Sequence, residues 1–211
     1  MPTGKKTLRK ARGRPPLSQE QVGDMRARIA EAARRLFREE GYEAVSMRRL
    51  ASEIGCTPMS IYSYYDSKID VLRLVWSDVF AEVFAHVARA KAKGRDANAV
   101  LHAKCRAYVQ YWLDHPEAYR MVFMSAGVTQ SEVSVFVDES TTAADYRVFA
   151  TSLAAAAHRA EGDVAEHAQA LICGLNGIAH TLITISGFAW APANTLVAVL
   201  VEGAATTARA V

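Results

Sequence analysis

SMRRLASEIGCTPMSIYSYYDSKIDVL, residues 46–72, holds three helix starts separated by a glycine stop. Ser46 is a cap residue, and Met47, Leu50, Ala51 and Ile54 recur behind it at helical spacing. Gly55 ends that run, because a residue without Cβ tolerates the left-handed backbone that closes a helix. Only Gly55 and Cys56 stand before Thr57, a second cap, and Pro58 follows at the first helical position. There its fixed φ fits and its missing N–H costs nothing. Ser67 caps a third segment, with Asp70 three residues on. Two short helices joined by a tight turn, with a long helix following, form a helix-turn-helix pattern.

Outward from that stretch the chain reads as helix throughout. Ser18 and Gln21 make a capping-box pair before a helix that carries Ile29, Ala33, Leu36 and Phe37 on one stripe and stops at Gly41. The helix after Ser67 extends toward Lys93-Gly94, about 27 residues and about 40 Å. Further helices are expected over 97–114, 116–126, 139–160, 163–188 and 193–209. Val133, Val135 and Val137 alternate as in a strand, but no partner strand follows and the segment reads as a loop. The fold class is all-α, with about nine helices. Three units are expected: a basic arm over 1–17, a helix-turn-helix head over 18–66, and a larger helical body over 67–211.

Charge separates the front from the rest. Residues 1–68 carry 14 Lys/Arg against 8 Asp/Glu, whereas residues 69–211 carry 11 against 14. A basic front on a slightly acidic body is suited to a polyanion, nucleic acid before an anionic membrane surface. The three cysteines, at 56, 105 and 173, provide neither a disulfide framework nor a CxxC spacing. With no apolar run after the basic N-terminus, a cytoplasmic, nucleoid-associated location is expected. No GxSxG, HExxH or phosphate-binding glycine loop occurs, so an enzyme is not expected, nor a metal or cofactor.

A helix-turn-helix reads DNA by laying its second helix in the major groove. The groove-facing side chains here are Pro58, Met59, Ser60 and Ser63, with Ser46, Thr57, Tyr62, Tyr64 and Lys68 set for the phosphate backbone. Residues 57–65 contain no Arg, Lys, Asn or Gln, so bidentate reading of G or A is unavailable. Readout then rests on apolar contact with thymine methyls, on serine hydroxyls and on DNA shape. The arm adds Arg12-Gly13-Arg14-Pro15, which resembles an AT-hook core. Arg12 and Arg14 suit a narrow A·T-rich minor groove.

Residues 29–76, IAEAARRLFREEGYEAVSMRRLASEIGCTPMSIYSYYDSKIDVLRLVW, resemble the N-terminal domain of the tetracycline-repressor (TetR) family of transcriptional regulators. The residues that carry the resemblance are Leu36-Phe37, Gly41-Tyr42, Ser46, Leu50-Ala51, Gly55, Ile61-Tyr62 and Ser67-Lys68. It implies a repressor that binds a palindromic operator as a homodimer and leaves it when a small molecule enters the body. It also implies DNA contact by Ser60, Tyr62, Tyr64 and Lys68. Tyr65-Asp66 departs from the pattern by setting an acid beside Lys68. The alternative is an A·T-preferring chromosome-organising protein without ligand control.

In the body, residues 167–201 contain no charged side chain, yet Pro192 divides them and polar groups interrupt the first part. A membrane span is therefore not expected. Leu171, Leu175, Ile178 and Leu182 repeat at 4-3-4 spacing, a packing seam that, with Leu196 and Leu200, is expected to form the dimer interface. Two such helices per chain would make a four-helix bundle and set the reading helices ~34–36 Å apart, one DNA turn. AKCRAYVQYWLDHPEAYRMVF (103–123) resembles a C-terminal-domain subgroup named for a Trp-His-Gly motif. Its counterpart at 172–177 has Ile172 and Asn176 for the first two residues and keeps Gly177. Candidate ligand contacts are Tyr108, Trp112, Phe123 and Phe149, with Asn176 and His180 supplying polar groups to a small, largely apolar effector.

Overall fold

A computed structural model of the chain describes residues 18–92, 94, 96–124 and 142–210. The arm, with Arg12 and Arg14, and the segment 131–137 lie outside the described residues. Among these, every regular element is helical: α1 Gln19–Glu40, α2 Met47–Ile54, α3 Pro58–Tyr62, α4 Lys68–Arg89, α5 Ala97–Asp114, α6 Pro116–Phe123, α7 Thr142–Ala157, α8 Ala165–Thr184 and α9 Ala193–Ala210. Single 3₁₀ turns lie at Tyr42–Ala44 and Gly162–Val164.

Local hydrogen bonds start and stop the helices of the head. Ser46 Oγ accepts the Arg49 N–H at 3.2 Å to open α2. Gly55 closes it at φ +74°. Its N–H reaches the Ser52 carbonyl at 3.4 Å, and the Cys56 N–H reaches that of Ala51 at 2.9 Å. This double closure is a Schellman motif, and any Cβ at Gly55 would cost roughly 1–2 kcal/mol in the left-handed region. Thr57 Oγ1 accepts the Ser60 N–H at 3.2 Å and so starts α3 one residue beyond the turn. At α4, Ser67 and Asp70 satisfy each other's backbone in a capping box.

α4 joins head to body. Val71, Leu72, Val75 and Trp76 are buried with Ile29, Ala33 and Leu36 of α1, Leu50 of α2 and Ile61 of α3 in one continuous core. Farther along, Phe80 meets Trp112 of α5 edge-on at 6.1 Å, and Phe84 meets Tyr146 of α7 at 4.9 Å. Arg34 of α1 pairs with Asp78 of α4 between these two stretches. α4 has 22 residues, about 33 Å, one turn shorter than the sequence suggests. The backbone turns extended at Ala90, before Lys93-Gly94 is reached.

α5 is the central strut of the body, packed by α4, α7, α8 and α9. α8 packs on α9 at Gly174, where a Cβ would stand 2.7 Å from both terminal methyls of Leu200. The α8 seam faces the chain's own core: Leu171 and Leu175 are fully buried, and Ile178 and Leu200 pack against the same cluster. Leu182 and Leu196 are half-buried. Leu171 and Leu175, expected at a dimer interface, are thus enclosed by the single chain's own helices. Burying a leucine yields roughly 1.5–3 kcal/mol, so the leucine stripe turns toward α5 and leaves small residues outside. That outer face carries Ala170, Cys173, Gly177 and Thr184 on α8, with Thr195, Val199, Gly203 and Thr206 on α9.

Leu175→Glu would set a carboxylate in the core. The variant is expected to lose at least about 4 kcal/mol and to unfold the body rather than give a folded monomer; urea denaturation followed by circular dichroism checks this.

Candidate functional site

A charge network on the surface of the head ties its first two helices together. Arg49 bonds Glu40 at 2.8 Å and Glu53 at 3.1 Å, and Arg35 also pairs with Glu53. Arg28 of α1 donates to the Ile54 carbonyl at 2.9 Å, covering the C-terminal end of α2. These contacts brace α1 against α2, and they occupy arginines that composition alone would assign to a polyanion.

What remains outward is a small uncharged face on and beside α3. Met59 is 75% exposed and Tyr62 46%, and Thr57, Pro58 and Ser63 are exposed beside them. Ser63 Oγ donates to the Met59 carbonyl at 3.3 Å, and the Thr57 and Ser60 hydroxyls lie 2.9 Å apart. Ser46, Ser60, Tyr64 and Lys68 are half-buried. Tyr64 leans toward the head core and shares a cleft with Met25, Arg28, Cys56 and Ser60. Tyr65 donates to the Arg26 carbonyl at 3.3 Å, with the Arg26 guanidinium 5.6 Å above its ring. Arg48 was missed by the sequence reading. It sits in the first turn of α2 beside Ser46, exposed and without an ion pair among the described residues. Its neighbour Arg49 is spent on carboxylates, and nothing in the sequence separates the two.

The body interior is an aromatic cluster with one polar chain through it. Tyr108 donates to Asn176 Oδ1 at 2.8 Å and lies 2.9 Å from the Tyr146 hydroxyl. The Tyr119 hydroxyl reaches the Asn176 carbonyl at 3.4 Å. Burial pushes Tyr108 and Tyr146 above the usual tyrosine range, so both stay neutral. Tyr108, Trp112 and Phe149 are fully buried. Tyr108 and Phe149 pack edge-on at 5.4 Å, as do Trp112 and Phe123 at 5.5 Å; each such pair adds roughly 0.5–1.5 kcal/mol.

Of the six predicted ligand residues, five lie together in this interior. His180 does not: it is exposed, with its ring 6.0 Å from Tyr119 at the edge of the cluster. A cleft of about 390 Å³ opens between α7 and α8, lined by Tyr146, Arg147, Ala150, Ala168, Gln169 and Ile172 among others. None of the six predicted residues lines it. Tyr146 does, and its hydroxyl links the cleft to Tyr108 and Asn176. The spacing of aromatic residues finds the cluster but cannot single out Tyr146. Among the described residues no group of three or more His, Cys, Asp or Glu is placed to hold a metal ion. No described helix is long and apolar enough to cross a membrane.

Residues 29–75 match the family described as bacterial regulatory proteins, tetR family. Residues 101–204 match tetracyclin repressor-like, C-terminal domain. The HTH-type transcriptional activator FasR of Mycolicibacterium smegmatis is 25% identical over 126 residues, covering 60% of this chain and 58% of FasR. The chain thus matches under two thirds of that relative's length. Among solved structures, FadR of Thermus thermophilus, a TetR-family transcriptional repressor in complex with lauroyl-CoA, superposes with a TM-score of 0.63 at 17% identity, covering 85% of this chain and 92% of FadR. BioQ with its double-stranded DNA operator gives 0.59 at 21% identity, covering 85% of this chain and 97% of BioQ. At these identities the structural likeness speaks for the fold.

Buried hydroxyls and a buried thiol link stability to alkaline pH. Burial raises Cys105 from 9.0 to about 12 and Tyr119 from 10.0 to about 12. The unfolded chain releases these protons first, so their contribution is complete below the unfolded values and is lost as pH rises toward the folded ones. Urea midpoints should hold steady up to about pH 9 and fall between about pH 9 and 12. Cys105→Ala should remove the earliest part of that fall.

Proposed function

The chain belongs to the tetR family of bacterial regulatory proteins, and from that premise we propose that it is a sequence-specific transcriptional repressor. In this reading it binds a palindromic operator as a homodimer and is released by a small, largely apolar effector. The observation that carries the reading is the exposed face of Met59, Tyr62 and Ser63 on a helix pinned by the Thr57 cap and the Gly55 turn. A rigid helix with solvent-facing apolar and hydroxyl groups has no packing reason to expose them. Inserted in a major groove, Met59 and Pro58 meet thymine methyls, while Ser63 meets base edges. Ser46, Thr57, Ser60, Tyr62, Tyr64 and Lys68 then hold the phosphates, joined by Arg48 at the N-terminal turn of α2.

Two copies meet, in this reading, through the outer faces of α8 and α9. Ala170, Cys173 and Gly177 are small enough for close helix approach, and nothing lies within 4 Å of a Cβ built at Gly177. The resulting two-fold axis would carry the reading helices to successive turns of one DNA face. The effector enters by the cleft at Tyr146 and is recognised at the Tyr108–Asn176 chain, whose hydrogen bonds are available for exchange. Its binding biases the separation of the two heads, and DNA opposes it by the same factor. FadR, bound to lauroyl-CoA, and BioQ, bound to its operator, are relatives of the same fold whose ligands support both halves of this reading.

Selection of genomic fragments by the purified chain at two salt concentrations tests it. A short palindrome recovered at both is expected; A·T-rich fragments lost at the higher salt would instead favour a chromosome-organising role led by Arg12 and Arg14. Arg48→Ala and Tyr62→Ala should each weaken operator binding about tenfold, and Arg48→Ala should lower the salt slope by about one. Unchanged binding in both would remove the proposed docking face. Gly177→Arg should leave a folded monomer in the ultracentrifuge, and an intact dimer would move the interface off α8.

A further inference from the structure

A cleft of about 400 Å³ lies at the joint between head and body, walled by α1, α4 and the junction of α5 and α6. This is within the size range of small-molecule sites, and it is separate from the Tyr146 cleft. Its lining is apolar at Phe37, Val75, Val79 and Ala118. Its charges are unevenly satisfied. Arg34 and Asp78 are paired with each other, and Arg38 turns to Glu31 at 3.4 Å. Glu82 accepts only the Tyr111 hydroxyl at 3.1 Å, and Asp114 only the Gln110 amide at 2.8 Å. Both donors are neutral, so neither carboxylate has an ion-pair partner among the described residues. Tyr111 and His115, with ring centroids 4.5 Å apart, line the same side.

Two carboxylates beside aromatic rings over an apolar lining describe a complement to one chemistry. An ammonium group is drawn to Glu82 and Asp114 and to the ring of Tyr111, while an attached apolar body covers Phe37, Val75 and Val79. An anion would meet two carboxylates that no described cation pairs, beside arginines already bonded to Asp78 and Glu31, and a neutral molecule would forgo the attraction.

We propose that this joint cleft is a binding site for an organic cation with a compact apolar body, and that its occupancy is linked to operator binding. The linkage alone rests on the DNA-binding reading. α1 carries the head and forms one wall, whereas α5 and α6 belong to the body and form the opposite one. A ligand between them therefore favours one spacing of head and body, and any operator preference for a spacing changes cation affinity by an equal factor.

Calorimetric titration of the full chain without DNA tests the site, using 1-naphthylmethylamine, its neutral analogue 1-naphthylmethanol and the anion 1-naphthylacetate. The amine should bind at least about fivefold more tightly than the alcohol, the upper range of one solvent-accessible ion pair, and the acetate most weakly. The double variant Glu82→Gln, Asp114→Asn changes two exposed rim groups isosterically. It should keep the melting temperature and erase the difference between amine and alcohol. Equal binding of the two in the unaltered chain, or a difference that survives in the double variant, would overturn the site. Operator titrations with and without saturating amine then test the linkage, which an unchanged operator affinity would overturn. A chain that binds amine by charge yet recovers no operator would sink the DNA-binding reading and leave the cation site standing.

Discussion

Burial of one face of α4 along nearly its whole length is the constraint on which the rest of the structure depends. Val71, Leu72, Val75 and Trp76 complete a core that α1, α2 and α3 cannot close alone, and Val79 to Val87 continue into the body. Two short helices of eight and five residues bury too little surface to be stable by themselves. Their orientation is thus set by a helix that the body also grips. The Arg34–Asp78 pair stands at the changeover. A shift of α4 within the body has to move the head, because one unbroken helix serves both cores.

Within the head, rigidity and exposure have one origin. The turn at Gly55 and the caps at Ser46 and Thr57 satisfy the backbone locally, so no side chain of α3 except Ile61 has to be fully buried. Arg28, Arg35 and Arg49 tie α1 to α2 while staying exposed, their charge or donors committed to neighbours. The outward face is left with methionine, tyrosine and short hydroxyl side chains. In the proposed docking, such a surface suits DNA shape and thymine methyls better than hydrogen-bond patterns.

The body solves a different problem. An interior made from many aromatic rings must still house three tyrosine hydroxyls, and it does so by chaining Tyr108, Tyr146 and Tyr119 to the side chain and backbone of Asn176. Each buried polar group left unpaired would cost about 1–3 kcal/mol, so the chain holds α5, α6, α7 and α8 in register. The same economy of burial explains the outer surface of α8 and α9. Their leucines are buried or half-buried within the chain, and the face left to solvent is mostly alanine, glycine, threonine and cysteine, with Val199 and His180.

Helix starts and stops were legible in the sequence because they are interactions over three or four residues: Ser18 with Gln21, Ser46 with Arg49, Thr57 with Ser60, Ser67 with Asp70. The helix-turn-helix and the all-helical class followed from them, as did the aromatic cluster, whose members recur at helical spacing. The tertiary structure decided what no local rule can. It turned Leu171 and Leu175 inward, sent His180 to the surface, brought Tyr146 to Tyr108 and Asn176, and spent Arg49 on carboxylates while leaving Arg48 exposed. Each of these depends on which neighbour lies across a helix face. A helix such as α8, whose residues 167–184 hold no Lys, Arg, Asp or Glu, carries apolar side chains on more than one face, so only the competition of all its neighbours for burial selects the face that turns inward.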